Sequence, residues 1–266
     1  MIIVIVVLAF FALQMAAMGW IGGRGPLRFL AGVRMGRIPG NAREYHLENV
    51  QPYEQSPLQG KTICFLGSSV TFGAASLGVS MADYIGVLDR CHVIKEAVSG
   101  TTLAGTDAST YVSRLLANVD TNADIDIFIC QLSTNDASKL LPLGEISPGT
   151  ALEDFNRETV IGAMEYIIAY VRKTWDCDIV FYTGTRYESE AYAAMVEALL
   201  ALRDKWGIGV IDLWNDAEMN TVSKDDYRLY MNDPIHPTQA GYLKWWVPKF
   251  QEALYTRVEE MSQELA

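Results

Sequence analysis

Five short apolar runs, near residues 62–66, 92–98, 126–132, 178–183 and 208–213, punctuate the chain, and several stop abruptly at glycine or small hydroxyl residues. Longer stretches separate them, near 80–90, 107–118, 151–174, 189–206 and 238–260, in which apolar positions return every three or four residues. Consecutive apolar positions suit strands buried on both faces, and the wider spacing suits helices with one buried face. Their alternation predicts an α/β fold, a three-layer α/β/α sandwich with a five-stranded parallel sheet between two layers of helices. In 151–174 the stripe of Leu152, Phe155, Val160, Ala163, Met164, Ile167, Ile168 and Val171 reads as ordinary core. In the last stretch Thr238 is the expected N-cap, and Tyr242, Trp245, Trp246 and Phe250 are expected to pack back on the sheet.

The N-terminus breaks this pattern. Residues 1–23 carry no charged side chain and are mostly Ile, Val, Leu, Phe, Ala and Met, close to the roughly 20 residues that span a bilayer core. They predict an N-terminal hydrophobic helix acting as a single-pass membrane anchor; a cleaved signal peptide would need basic residues ahead of the apolar run, and there are none. Arg24, Arg28, Arg34, Arg37 and Arg43 follow, which by the positive-inside tendency favours a cytoplasmic position for the rest of the chain. Residues 24–60, rich in Gly, Pro and Arg without periodicity, read as a juxtamembrane linker that becomes ordered near Tyr53. Residues 61–266 then form one domain of ordinary size.

Charge narrows the function classes. A net charge of −11 argues against nucleic acid as a partner, since phosphate backbones call for a basic surface. No glycine-rich phosphate-binding signature follows the first run. The three histidines are far apart and the four cysteines have no paired spacing, so neither a metal nor another cofactor is expected. Cys64, Cys91, Cys130 and Cys177 read as reduced packing residues.

Candidate chemistry sits at two distant places. Gly67, Ser68, Ser69, Val70 and Thr71 follow the first apolar run, so Ser69 is expected at the carboxyl end of a strand, where open α/β sheets bind ligands. Ser68 and Ser69 could equally cap the following helix. Near the C-terminus, Asp233, Pro234, Ile235, His236 and Pro237 set a carboxylate three residues before an imidazole on a proline-constrained loop. A serine becomes a nucleophile when an imidazole takes its proton and a carboxylate holds that imidazole. The same loop could also be a surface turn, with Asp233 making an Asx-turn and His236 capping the next helix. His46 and His92 have no comparable setting.

These two segments resemble the first and last blocks of the SGNH (GDSL-type) serine hydrolases. Between them, Ala97 to Thr102 is similar to the block that donates a glycine backbone N–H, and Ser133, Thr134, Asn135 and Asp136 to the Gly-x-Asn-Asp block. The likeness runs in order through about residues 61–250. It implies a flavodoxin-like sheet and a cofactor-independent esterase acting on acyl or acetyl esters of a carbohydrate or lipid. It also implies Ser69 as nucleophile, His236 as base, Asp233 as its orienter, and an oxyanion hole of the Ser69 and Gly100 backbone N–H groups and the Asn135 amide. The chain departs from the family pattern at Ser68, Lys95 and Ser133. Arg186 and Tyr187, after the fourth run, are candidate substrate contacts, with a solvated surface arginine the alternative for Arg186. A silent glycan- or acyl-binding module, or a phosphate-binding domain that wraps an anion in Gly67 to Gly73, are the other readings.

Overall fold

The computed structural model describes residues 8–17, 27 and 29–264. In chain order its elements are α1 (Phe29–Met35), β1 (Thr62–Gly67), α2 (Ser69–Phe72), α3 (Met81–Leu88), β2 (His92–Ala97), α4 (Tyr111–Asn118), β3 (Ile127–Gln131), α5 (Thr134–Ser138), α6 (Val160–Trp175), β4 (Asp178–Tyr182), α7 (Glu190–Trp206), β5 (Gly209–Ile211), α8 (Lys224–Tyr230) and α9 (Val247–Glu264). The strands form one parallel sheet in the order β2-β1-β3-β4-β5. This is the five-stranded parallel arrangement that the apolar runs predict. The chain order reverses beside β1, so the carboxyl ends of β1 and β3 flank the place where such sheets open a crevice.

Successive strand side chains point to opposite faces, which lets one strand serve two cores. Ile63 and Phe65 pack with Met81, Tyr84 and Ile85 of α3 and with Trp246 and Phe250. Cys64 and Leu66 pack with Tyr111 and Leu115 of α4, Ile167 of α6 and Leu199 of α7. The aromatic end of the chain does close on the sheet: Tyr182 lies 5.1 Å from Phe250 and 6.3 Å from Trp246, ring centre to ring centre. Trp245 instead stacks on Tyr230. All four cysteines are unpaired.

Helix α6 starts at Val160, later than its apolar stripe suggests. Thr159 caps it by accepting from the Gly162 N–H, and Asn156 folds back so closely that a Cβ on Gly162 would lie 2.1 Å from its carbonyl. Leu152 belongs to a separate 3-10 turn and Phe155 to the loop after it, where its ring meets Trp206.

The N-terminus departs from expectation. Residues 8–17 are helical and mostly exposed. Among the described residues no helix is long and apolar enough to cross a membrane. The single-pass anchor expected in 1–23, the membrane location drawn from it and the sidedness drawn from the arginines are therefore not supported; residues 1–7 and 18–23 lie outside the described residues.

The expected linker is folded well before Tyr53. Pro39–Asn41, Arg43–Tyr45 and Leu47–Asn49 are 3-10 turns. The buried Asn41 amide donates to the carbonyls of Met35 (2.9 Å) and Ala75 (2.8 Å), and its oxygen accepts from the Gln239 N–H at 2.9 Å. Gly40 touches the same region, since a Cβ there would lie 2.0 Å from the Leu229 carbonyl and 2.3 Å from Thr238 Oγ1. Single side chains are buried here rather than a helical face, which is why the sequence shows no period.

Candidate active site

β1 delivers the serine. Gly67 ends the strand because nothing larger fits: a Cβ would lie 1.7 Å from Thr71 Oγ1 and 2.8 Å from Gln131 Oε1. Gln131, at the end of β3, then fastens the turn. Its Oε1 accepts from the Ser68 N–H (2.9 Å), the Thr71 N–H (3.2 Å) and the Thr71 hydroxyl (2.7 Å), and its Nε2 donates to Ser68 Oγ at 3.2 Å. Ser69 thus opens α2 with its own N–H in the first helical turn, where backbone donors lack intrahelical partners. The capping expectation is met only in position, because Ser68 makes no side-chain cap to the helix.

The second segment is a tight loop between α8 and the start of the C-terminal helical region. Met231 and Pro237 form an antiparallel bridge, the Asn232 N–H donates to the His236 carbonyl and the Thr238 N–H to Tyr230. Inside it, Asp233 Oδ1 accepts from the backbone N–H groups of Ile235 (2.9 Å) and His236 (3.0 Å), and Asn232 Nδ2 donates to Oδ2 at 3.0 Å. The Asx-turn is therefore real, and it coexists with the arrangement that chemistry needs. His236 Nδ1 lies 2.9 Å from both Asp233 oxygens, and Nε2 lies 2.8 Å from Ser69 Oγ. A carboxylate facing Nδ1 keeps the proton there, which leaves the Nε2 lone pair free to accept from the serine hydroxyl. Burial pushes the Asp233 carboxyl up, but its bonds from the His236 ring and the two backbone N–H groups outweigh that and hold it down at about 2.

Two more segments, after β2 and after β3, are stitched together. Gly100 adopts φ +84°. Asn135, at the start of α5, donates one amide hydrogen to the Thr101 carbonyl at 2.9 Å, which sets the amide beside Gly100 and leaves its second hydrogen available. The buried Asp136 accepts from the Leu103 and Ala104 N–H groups, both at 2.9 Å. Burial raises its carboxyl above the ordinary range, against the opposing effect of those bonds. Arg114 of α4 ties this loop to the nucleophile strand: it donates to the Gly67 carbonyl (2.8 Å), Thr101 Oγ1 (3.1 Å), Glu96 Oε1 (2.6 Å), the Glu96 carbonyl (3.3 Å) and the Ser109 carbonyl (3.0 Å).

The three departures from the family pattern have local structural jobs. Ser68 binds Gln131, Ser133 caps α5 by accepting from the Asn135 N–H, and Lys95 pairs with Asp83 at 2.6 Å and donates to the Gly78 carbonyl. Arg186 is turned to Asn215 (3.1 Å) and over Trp214, and lines a groove of about 280 Å³ with Met219, Tyr227 and Trp245. Tyr187 packs against Tyr192 and Trp214 in a narrow crevice shared with Val70, Pro234 and Ile235. Neither touches Ser69 or His236 through a hydrogen bond. Among the described residues no group of three His, Cys, Asp or Glu side chains is placed to hold a metal ion.

The GDSL-like lipase/acylhydrolase family model matches residues 65–244. Among solved structures, a protein from Lactobacillus plantarum is 18% identical with a TM-score of 0.60, covering 76% of this chain and 98% of its own. A lipolytic protein of the G-D-S-L family from Desulfitobacterium hafniense is 17% identical with a TM-score of 0.54, covering 73% and 99%. A GDSL-like lipase from Bacteroides ovatus is 17% identical with a TM-score of 0.51, covering 76% and 99%. At these identities the likeness is one of fold. No curated protein matches the chain.

Proposed function

Starting from a chain that belongs to the GDSL-like lipase/acylhydrolase family and is a hydrolase by that membership, we propose that it cleaves acyl or acetyl esters, on a carbohydrate or lipid, through a Ser69–His236–Asp233 triad. The observation that carries this reading is the 2.8 Å approach of Ser69 Oγ to His236 Nε2, with the other ring nitrogen held by Asp233. His236 takes the hydroxyl proton as Ser69 attacks the ester carbonyl. Asp233 stays ionised and stabilises the imidazolium that forms. The oxyanion of the tetrahedral intermediate is held by the Ser69 and Gly100 N–H groups and the free hydrogen of the Asn135 amide, each such donor typically contributing about 3 kcal/mol of transition-state stabilisation. His236 returns its proton to the departing alcohol, leaving an acyl-Ser69 intermediate that water, activated by the same imidazole, hydrolyses to the free acid.

The test uses p-nitrophenyl acetate turnover and fluorophosphonate labelling of the full chain beside Ser69→Ala and His236→Ala. Turnover and labelling in the wild type, with both lost in Ser69→Ala, are expected. Labelling that survives Ser69→Ala rejects the nucleophile. A wild type that turns over no ester favours a binding module on the same fold.

A further inference from the structure

A groove of about 510 Å³ runs from the catalytic loop toward the N-terminal segment. One wall is α1, through Ala31, Gly32, Arg34 and Met35; the other is the end of α2 and the turn after it, through Phe72, Ala75 and Leu77; its inner end is Asn232, Asp233 and His236. Phe72 and Leu77 are exposed large apolar residues, so the floor is greasy although it opens to water. No residue of the loops that hold Gly100 or Asn135 lines it.

Two features decide what it takes. The first is the side on which it lies. In the proposed reaction the imidazole returns its proton to the departing oxygen, so the alcohol portion of the ester must lie on the His236 side, away from the oxyanion donors. The groove adjoins His236 and avoids those donors. The second is Arg34. Its Nε is buried with no hydrogen-bond acceptor, and no carboxylate of the described residues forms an ion pair with its guanidinium. A guanidinium that no carboxylate of the protein pairs with can take a charged acceptor from a ligand at its terminal nitrogens. The guanidinium fork suits planar or tetrahedral oxyanions. In a chain of net charge −11 a general attraction for anions is weak, so a local cation has to supply it.

Resting on the esterase reading above, we propose that this groove is the alcohol-side subsite and that Arg34 selects esters whose alcohol portion carries a carboxylate or phosphate beyond a short apolar segment. The N-terminal segment is then part of the specificity apparatus.

Matched acetate esters test this: 4-acetoxybenzoate, its uncharged methyl ester, and 4-acetoxyphenyl phosphate. Full-length wild type, Arg34→Ala, Arg34→Lys and the charge control Arg203→Ala are compared. The ratio of KM for each charged ester to KM for the methyl ester is expected to rise about tenfold or more in Arg34→Ala, to recover in part in Arg34→Lys, and to stay put in Arg203→Ala. A larger change for one charged ester than the other separates carboxylate from phosphate recognition. A ratio that is the same in wild type and Arg34→Ala overturns the subsite. If p-nitrophenyl acetate and all three esters go unhydrolysed by wild type, the esterase reading falls and the subsite with it; turnover with an unmoved ratio rejects the subsite alone.

Discussion

Arg114 braces the nucleophile strand against the Gly100 loop, and its removal has a magnitude that can be worked out. Its side chain is 5% exposed and that of its partner Glu96 is 19% exposed. In Arg114→Met most of the packing volume remains, so the loss is polar. The Gly67 carbonyl keeps a bond from the Val98 N–H and the Thr101 hydroxyl keeps the Val98 carbonyl, which leaves as the stranded groups the Ser109 carbonyl and Glu96, whose carboxylate keeps only a 3.3 Å bond from the Asn118 amide. Breaking one side of a buried pair costs about 3–5 kcal/mol; with Glu96 partly reached by water, about 3 kcal/mol is expected. At roughly 2–4 °C per kcal/mol for a domain of this size, the thermal midpoint should drop by about 6–12 °C. Adding Glu96→Gln should recover part of that drop, since most of the cost is the orphaned carboxylate. With the brace gone, Ser69 and the Gly100 loop lose register, and a shift near 1 Å lowers kcat by about a hundredfold with KM for p-nitrophenyl acetate little changed. Calorimetry on the two variants and steady-state kinetics are the assays. A midpoint within 2 °C of wild type, or no recovery in the double variant, refutes the reasoning.

Three further outcomes are expected. Asn135→Ala should lower kcat by about a hundredfold or more with a small effect on KM; a loss under about fivefold in ester kinetics would remove Asn135 from the oxyanion hole. The Asp233 carboxyl is depressed to about 2 from an ordinary value near 4, so the stability it adds is fully present above about pH 4 and is lost as pH falls through about 2. Urea midpoints of wild type and Asp233→Asn should therefore converge between pH 4 and pH 2, and a gap that widens on acidification would contradict the sign. Gly67→Ala should unfold or inactivate the protein through the clash with Thr71, whereas Gly100→Ala, with open space around its Cβ, should lose only about 1–2 kcal/mol for its left-handed backbone; circular dichroism melts of the pair distinguish steric from conformational cost.

The sheet is legible in the sequence because most strands are apolar runs, the edge strand β2 with its Lys95 and Glu96 being the weakest of them, and the order in which Ser69 and His236 appear is legible because both sit in short motifs bounded by Gly or Pro. The braces are not. Gln131 shows as a polar residue inside the apolar run that follows Asp126, yet nothing along the chain says that it faces Ser68 and Thr71, 60 and more residues away. Arg114 looks like any charged residue of an amphipathic helix until its five acceptors are placed. Asp136 lies inside a recognised block, and its grip on Leu103 and Ala104 depends on a loop whose path sequence does not give. The N-terminal reading is not supported either: hydropathy reports how apolar a segment is, and among the described residues no helix is long and apolar enough to cross a membrane. Arg34 and His236 share a groove although about 200 residues separate them, a proximity that no local pattern encodes.

Asn41 carries a kinetic consequence. Its bond to Gln239 closes a span of 198 residues, and Ser69 waits for a partner 167 positions downstream. A chain emerging from the ribosome therefore exposes Ser69 long before His236 is made, and the bond between Asn41 and Gln239 can form only after both. A nascent product that stops before the 231–237 loop would therefore carry Ser69 without the imidazole that faces it in the folded protein.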